Sequence, residues 1–339
     1  MTGRSTEIFP TCRSILPWFR RSGEREVMRH LQSFPAAAIP SRRASGAGAT
    51  TVWLLVMVLL WGLSWPATKL ALASVPPLWL AATRFGSAAL CLFVFLGLRG
   101  ELRLPPRQDW PIVASMGLLQ MMAFTGMGMI AMTRTDTSHA VLLAYTTPLW
   151  SVLMGWAIFR QAPGRAQLLA LAVGLGGVLL ICSPLEMDWS APGTLGGAGL
   201  LLAAAICWSA VILHIRRHRW TASPLDLAPW QMLLASLPLA VLAYATEGSP
   251  ADIPLRAELL RLLVFIGPVA TSACFVISAE YGRRISAFAM SNFTLGVPLI
   301  GVLSSVWLLD NRLSPVFLAG LALVTGGMIL AAAAARRRS

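Results

Sequence analysis

The chain has 339 residues, 56% of them hydrophobic and only 12% charged, and a formal net charge of +13. A soluble chain carries about a quarter charged residues, so this deficit and a mean hydropathy of +0.69 exclude an ordinary water-facing globule. The arginines cluster between apolar runs rather than along one face, which argues against nucleic acid as a partner and for the anionic cytoplasmic leaflet of a lipid bilayer.

Residues 1–49 are rich in Arg, Ser and Pro, lack a run long enough for a signal-peptide core, and read as a disordered cytoplasmic tail, with Met28 as an alternative start. Ten apolar runs follow, at 52–72, 77–98, 111–133, 138–159, 166–185, 194–214, 227–246, 260–280, 285–309 and 314–335. About 20 apolar residues carry a helix across roughly 30 Å of hydrocarbon. Backbone groups in lipid must bond within a helix or a closed barrel, and continuous apolar runs lack the alternation of a barrel. The expected fold class is an all-α membrane protein with ten transmembrane helices, multi-pass in the inner membrane.

The connecting charges test this count. With the N-terminus cytoplasmic, the inside segments hold eight tail arginines and Arg99, Arg103, Arg107, Arg160, Arg165, Arg216, Arg217, Arg219, Arg283, Arg284, Arg336, Arg337 and Arg338. The outside segments hold Arg134, Arg256, Arg261 and Arg312, together with the acids Glu186, Asp188, Glu247, Asp252 and Glu258. That is the bias of cytoplasmic loops toward positive charge, and it places both termini inside.

The two halves resemble each other. A Trp followed eight residues later by a base occurs as Trp61/Lys69 and Trp208/Arg216. One constant offset then pairs Gly117 with Gly267, Pro148 with Pro298, Arg160 with Asp310, Ala170 with Gly320 and Gly177 with Gly327. Five helices per half is an odd number, so the second half enters the membrane inverted. The expected domains are a first repeat over 50–185 and a second over 194–335, the arrangement in which a midplane site forms between repeats.

In their order and spacing these residues resemble the drug/metabolite transporter superfamily, specifically the EamA-type ten-helix permeases. The resemblance covers roughly 50–335 and rests on Trp61, Gly62, Pro66 and Lys69; on Pro76, Pro77 and Arg84; on His139 to Leu143 before Pro148; on Ala287 to Ser291 before Pro298; and on Gly174, Gly176, Gly177, Gly326 and Gly327. It departs from the pattern at Arg160 and Asp310, where the family usually has glutamate. The resemblance implies an alternating-access carrier, often an exporter of amino acids or related small metabolites.

Candidate substrate contacts follow from polarity at depth. Arg84 lies roughly 10 Å inside its span at 1.5 Å per residue, and a charge there costs at least about 2.5–3.5 kcal/mol unless it faces the bundle or water. It reads either as a substrate contact or as a structural pair with a carbonyl or an acid such as Asp136. Lys69, the lone lysine, either snorkels to the headgroups or faces a cavity opened by Pro66. His139, Tyr145, Thr146 and Thr147 precede Pro148, and Ser291, Asn292 and Thr294 precede Pro298. Inverted symmetry brings these two stretches together, to hold a solute or to bond across helices. Trp61 and Trp208, inside their spans, read as cavity walls or as packing. Spacings such as Ala170/Gly174 and Ala322/Gly326 favour close helix approach, with a homodimer contact as the further reading.

No HExxH motif, paired carboxylate at depth or Cys/His cluster is present, so no metal, cofactor or catalytic residue is expected, and an enzyme ranks below a channel or a non-transporting sensor as the alternative.

Overall fold

The computed structural model describes residues 46–160, 163–186, 190–282, 284–285, 287–310 and 313–336. The tail expected over residues 1–49 and the arginines at 337–338 therefore lie almost wholly outside the described residues. The chain divides into a unit of Met1–Ala47 and a unit of Gly48–Ser339, and the second carries everything that follows.

Among the described residues all regular structure is helical. The helices are α1 (Gly48–Ala71), α2 (Pro77–Leu98), α3 (Trp110–Met132), α4 (Thr137–Phe159), α5 (Arg165–Ile181), α6 (Thr194–Arg217), α7 (Pro224–Glu247), α8 (Ala257–Gly282), α9 (Ala287–Leu309) and α10 (Pro315–Arg336). Seven of them, α1–α4 and α6–α8, are long and apolar enough to cross a membrane; the described apolar parts of α5, α9 and α10 are shorter. Large aliphatic and aromatic side chains stand exposed around the bundle, among them Leu90, Val94, Leu98, Leu179, Val241, Leu303 and Trp307. Water would penalise such a surface; lipid does not.

Prolines set several boundaries. Pro77 and Pro224 occupy first turns, where a missing N–H costs nothing. α5 stops at Ile181, four residues short of the expected end, three residues before Pro184. α4 is interrupted at Tyr145 and Thr146, because Pro148 cannot donate to the preceding turn. α3 and α8 each contain a π-helical stretch, Met116–Phe124 and Phe265–Ala273. The second encloses Pro268, and Thr271 Oγ1 donates to Ile266 O across the widened turn at 2.8 Å.

Two helix pairs form the most extensive interfaces, α2 with α7 and α5 with α10. Ala81, Ala88, Ala235 and Ala243 are fully buried or nearly so and let α2 and α7 approach closely. Glu247 at the end of α7 accepts from the amides of Leu78 and Trp79 at 2.9 and 3.0 Å, satisfying donors at the start of α2. In the α5–α10 pair, a Cβ added at Gly177 would meet Gly320 O at 2.8 Å, and one at Gly327 would meet Ala170 O at 2.9 Å. Ala170 and Gly174 thus face α10 of the same chain.

Gly117 of α3 lies against the carbonyl of Gln231 on α7, and Gly267 of α8 against the carbonyl of Arg84 on α2. Arg160 and Asp310, which end α4 and α9, are the described non-glycine residues with positive φ, at 51° and 50°.

Candidate functional site

A cavity of about 1040 Å³ runs into the bundle between helices of both sequence halves. α1 lines it with Trp61, Ser64, Trp65 and Thr68, which the helical repeat places on one face. The Ser64 and Thr68 hydroxyls turn back onto Trp61 O (2.7 Å) and Ser64 O (2.6 Å) around Pro66, and α1 continues unbroken through the proline.

Aromatic rings form much of the wall. Phe124 and Trp208 meet edge to face at 4.6 Å, Trp208 and Tyr145 at 6.1 Å and Trp61 and Phe275 at 6.4 Å, while Tyr145 and Trp65 are tilted to each other at 6.0 Å. The break in α4 brings Tyr145 to the cavity. Thr146 Oγ1 donates to Leu143 O at 2.6 Å and accepts from Trp150 Nε1 at 3.0 Å, so Thr146 stitches that break from a buried position outside the cavity lining.

Arg84 enters the cavity from α2, and its Nε donates to Thr271 Oγ1 at 3.0 Å. Thr271 is held by the π-helical carbonyl of Ile266, so the local geometry of α8 fixes the guanidinium. Among the described residues no carboxylate lies within 4.0 Å of Arg84, leaving most of its donors for water or a ligand. Gln120 of α3 adds a complementary feature: its Oε1 is buried, lines the cavity and lacks a partner among the described residues. The mouth is charged with both signs, by Arg99, Glu101, Arg216, Asp226 and Glu280.

The cavity therefore brings together Arg84, Trp61, Trp208, Tyr145 and Thr294 from the sequence-derived set. Lys69 does not line it. Its ammonium donates to Met132 O, the last carbonyl of α3, and to Thr135 O (3.1 Å) in the turn that follows. His139 packs edge-on against Phe317 at 5.0 Å, with Nε2 buried and unpartnered among the described residues. Pro298 lies within α9; Ser291, Asn292 and the ring of Pro148 lie outside the described side chains. Thr271 and Gln120 escaped the sequence reading. The signal for both was an isolated hydrogen-bonding side chain in a long apolar run, weaker than a charge because amides and hydroxyls are tolerated there.

A bundle of membrane-length helices around a cavity lined by polar, aromatic and aliphatic side chains defines a multi-pass membrane protein with room for a small solute. The chain matches the EamA-like transporter family over residues 49–183 and again over 195–333, and it belongs to that family. It is 24% identical to the uncharacterized transporter YvbV of Bacillus subtilis, over 83% of this chain and 90% of that one. It is 25% identical to a protein of Salmonella typhimurium named "Probable amino-acid metabolite efflux pump", over 81% and 92%, and 29% identical to the uncharacterized inner membrane transporter YedA of Escherichia coli, over 46% and 49%. A solved crystal structure shares the fold with a TM-score of 0.57 at 22% identity, covering 86% of this chain and 99% of that one. The protein is a multi-pass transporter of the inner membrane.

Proposed function

We propose that this transporter is a secondary carrier of ten spans, built from two inverted five-helix repeats, 50–185 and 194–335, that exports small metabolites by alternating access. Reciprocal contacts support the inversion. Gly177 against Gly320 O mirrors Gly327 against Ala170 O, and Gly117 against Gln231 O mirrors Gly267 against Arg84 O. The π-helical stretches fall in the third helix of each repeat, and positive φ recurs at Arg160 and Asp310. With the arginine-rich loops cytoplasmic, the mouth at Arg99 and Arg216 faces inward and the conformation is inward-open.

The substrate is a carboxylate-bearing metabolite of amino-acid size, consistent with the name of the Salmonella relative. One observation carries this reading: Arg84, anchored by Thr271 of the other repeat, faces an aromatic-walled cavity with no carboxylate within 4.0 Å of it among the described residues, the acids Glu101, Asp226 and Glu280 standing at the mouth. A guanidinium so placed pairs with a carboxylate, while the rings of Trp61, Tyr145 and Trp208 cover the apolar body.

Counterflow in proteoliposomes tests it. Arg84→Gln keeps the hydrogen bond to Thr271 within reach and removes the charge. Losing one partner of a buried charge pair costs at least about 2 kcal/mol, or roughly thirtyfold in affinity. The variant should transport a neutral amide analogue better than the parent carboxylate. Wild-type flux of the carboxylate through Arg84→Gln would remove the assignment.

A further inference from the structure

A second hollow of about 600 Å³ lies on the flank of the bundle, between α2 and α8 with α1 at its edge. Its floor is aliphatic or nearly so, formed by Cys91, Leu92, Ala273, Val276 and Ile277. The helices close beneath it where Ser272 Oγ donates to Ala88 O at 3.1 Å. Outside, α2 presents Leu90 and Val94 at 65% and 51% exposure, so the groove opens into the hydrocarbon of the bilayer.

One end of the groove differs in character. Trp53 stacks on Tyr281 at 5.8 Å, and Phe95 stands opposite, an aromatic shelf of the kind found at headgroup level. Two guanidiniums lie over this shelf, Arg99 at 5.2 Å from the Phe95 ring and Arg284 at 4.6 Å from the Tyr281 ring. Glu101 pairs with Arg99 at 3.0 Å. Arg284 spends its Nε on Glu280 O at 3.0 Å and has no carboxylate within 4.0 Å among the described residues. Glu280 also lines this end and sets a local negative charge against the pair.

We infer that this groove binds an anionic phospholipid of the arginine-rich leaflet. One acyl chain lies along Cys91, Leu92, Val276 and Ile277, and the phosphate meets Arg284, with Arg99 second. An aliphatic floor open to hydrocarbon fits a chain, and a carboxylate-free guanidinium on an aromatic shelf at its end fits the anionic head; a soluble metabolite would satisfy only the second. Arg99 and Glu280 border both this groove and the mouth of the central cavity, so a bound lipid would sit beside the entrance. The site rests on membrane location and local chemistry, not on the carrier mechanism, and it can fail or stand independently of the Arg84 assignment.

The test uses the full chain purified in detergent. Phosphatidylglycerol should raise the apparent Tm by about 3 °C more than phosphatidylcholine does. Arg284→Gln should abolish that difference, and phosphatidylglycerol should slow N-ethylmaleimide alkylation of Cys91, read on the Cys91 peptide by mass spectrometry. Equal shifts from the two lipids, an undiminished difference in Arg284→Gln, unchanged Cys91 alkylation, or the full shift from glycerol phosphate alone would each overturn the assignment.

Discussion

Asp109 shows how one buried carboxylate can organise an end of a membrane bundle. Its side chain is fully buried, yet it accepts from His218 Nε2 at 2.8 Å and from the amides of Ala222 (2.7 Å) and Thr221 (3.2 Å). Burial pushes its pKa up; the hydrogen bonds from His218, Ala222 and Thr221 outweigh that and hold it below the ordinary carboxylate range. A depressed folded pKa means stability that is present above the unfolded value of about 3.9 and lost as pH falls through the folded one. Melting curves between pH 7 and pH 3 should therefore show an acid-side loss that Asp109→Asn flattens. That variant should already be destabilised at pH 7, by about 1–3 kcal/mol; a wild-type pH profile in Asp109→Asn would contradict this role. Arg84 was legible in the sequence because a charge within an apolar run must find a polar environment. Its partner Thr271 was not, since nothing local says which helix faces it. For Lys69 the sequence left snorkelling and a cavity role open, and the carbonyls of Met132 and Thr135 hold it instead, a contact 63 and 66 residues away in the chain.

Among the helices, the α5–α10 pair depends on the absence of side chains at particular places. A Cβ at Gly177 would stand 2.7 Å from Val324 N, and one at Gly327 would stand 2.7 Å from Gly174 Cα, both backbone atoms that cannot swing away. Gly177→Val and Gly327→Val should each cost about 1–3 kcal/mol or more through overpacking. Gly176→Ala, one position away and in open space, should be neutral or gain about 0.5–1 kcal/mol of helix propensity. Apparent Tm values of the three variants check this, and similar losses at Gly176 and Gly177 would dissolve the distinction. The existence of these helices was readable from apolar runs alone. Their interruptions were only partly so: Pro148 signals the break at Tyr145, whereas the π-helical stretch of α3 contains no proline and no sequence signal that marks it.

For the molecule as a whole, the proposed inward-open carrier predicts which loops share a side of the membrane. Hydrogen bonds that Asp109 accepts from the 218–222 segment, and one that Trp230 Nε1 donates to Arg103 O at 2.9 Å, join the loop before α3 to the loop before α7 and to α7 itself at one end of the bundle. In a cysteine-free background, Leu102→Cys and Arg219→Cys should react with impermeant thiol reagents only from the cytoplasm, and Ser249→Cys only from the opposite face. Labelling of Leu102→Cys and Arg219→Cys from different sides would end the inverted-repeat proposal. The sequence by itself determined the class: apolar runs of membrane length force helices, because hydrocarbon offers the backbone no other hydrogen-bond partner. It also determined which residues were too polar to face lipid. Only the tertiary structure decided which of them share a cavity, since Arg84 and Thr271 stand 187 residues apart and meet through helix packing. The same packing assigned Lys69 to a helix end and His139 to a contact with Phe317, because apolar periodicity fixes that a helix is buried but not which neighbour its polar groups will find.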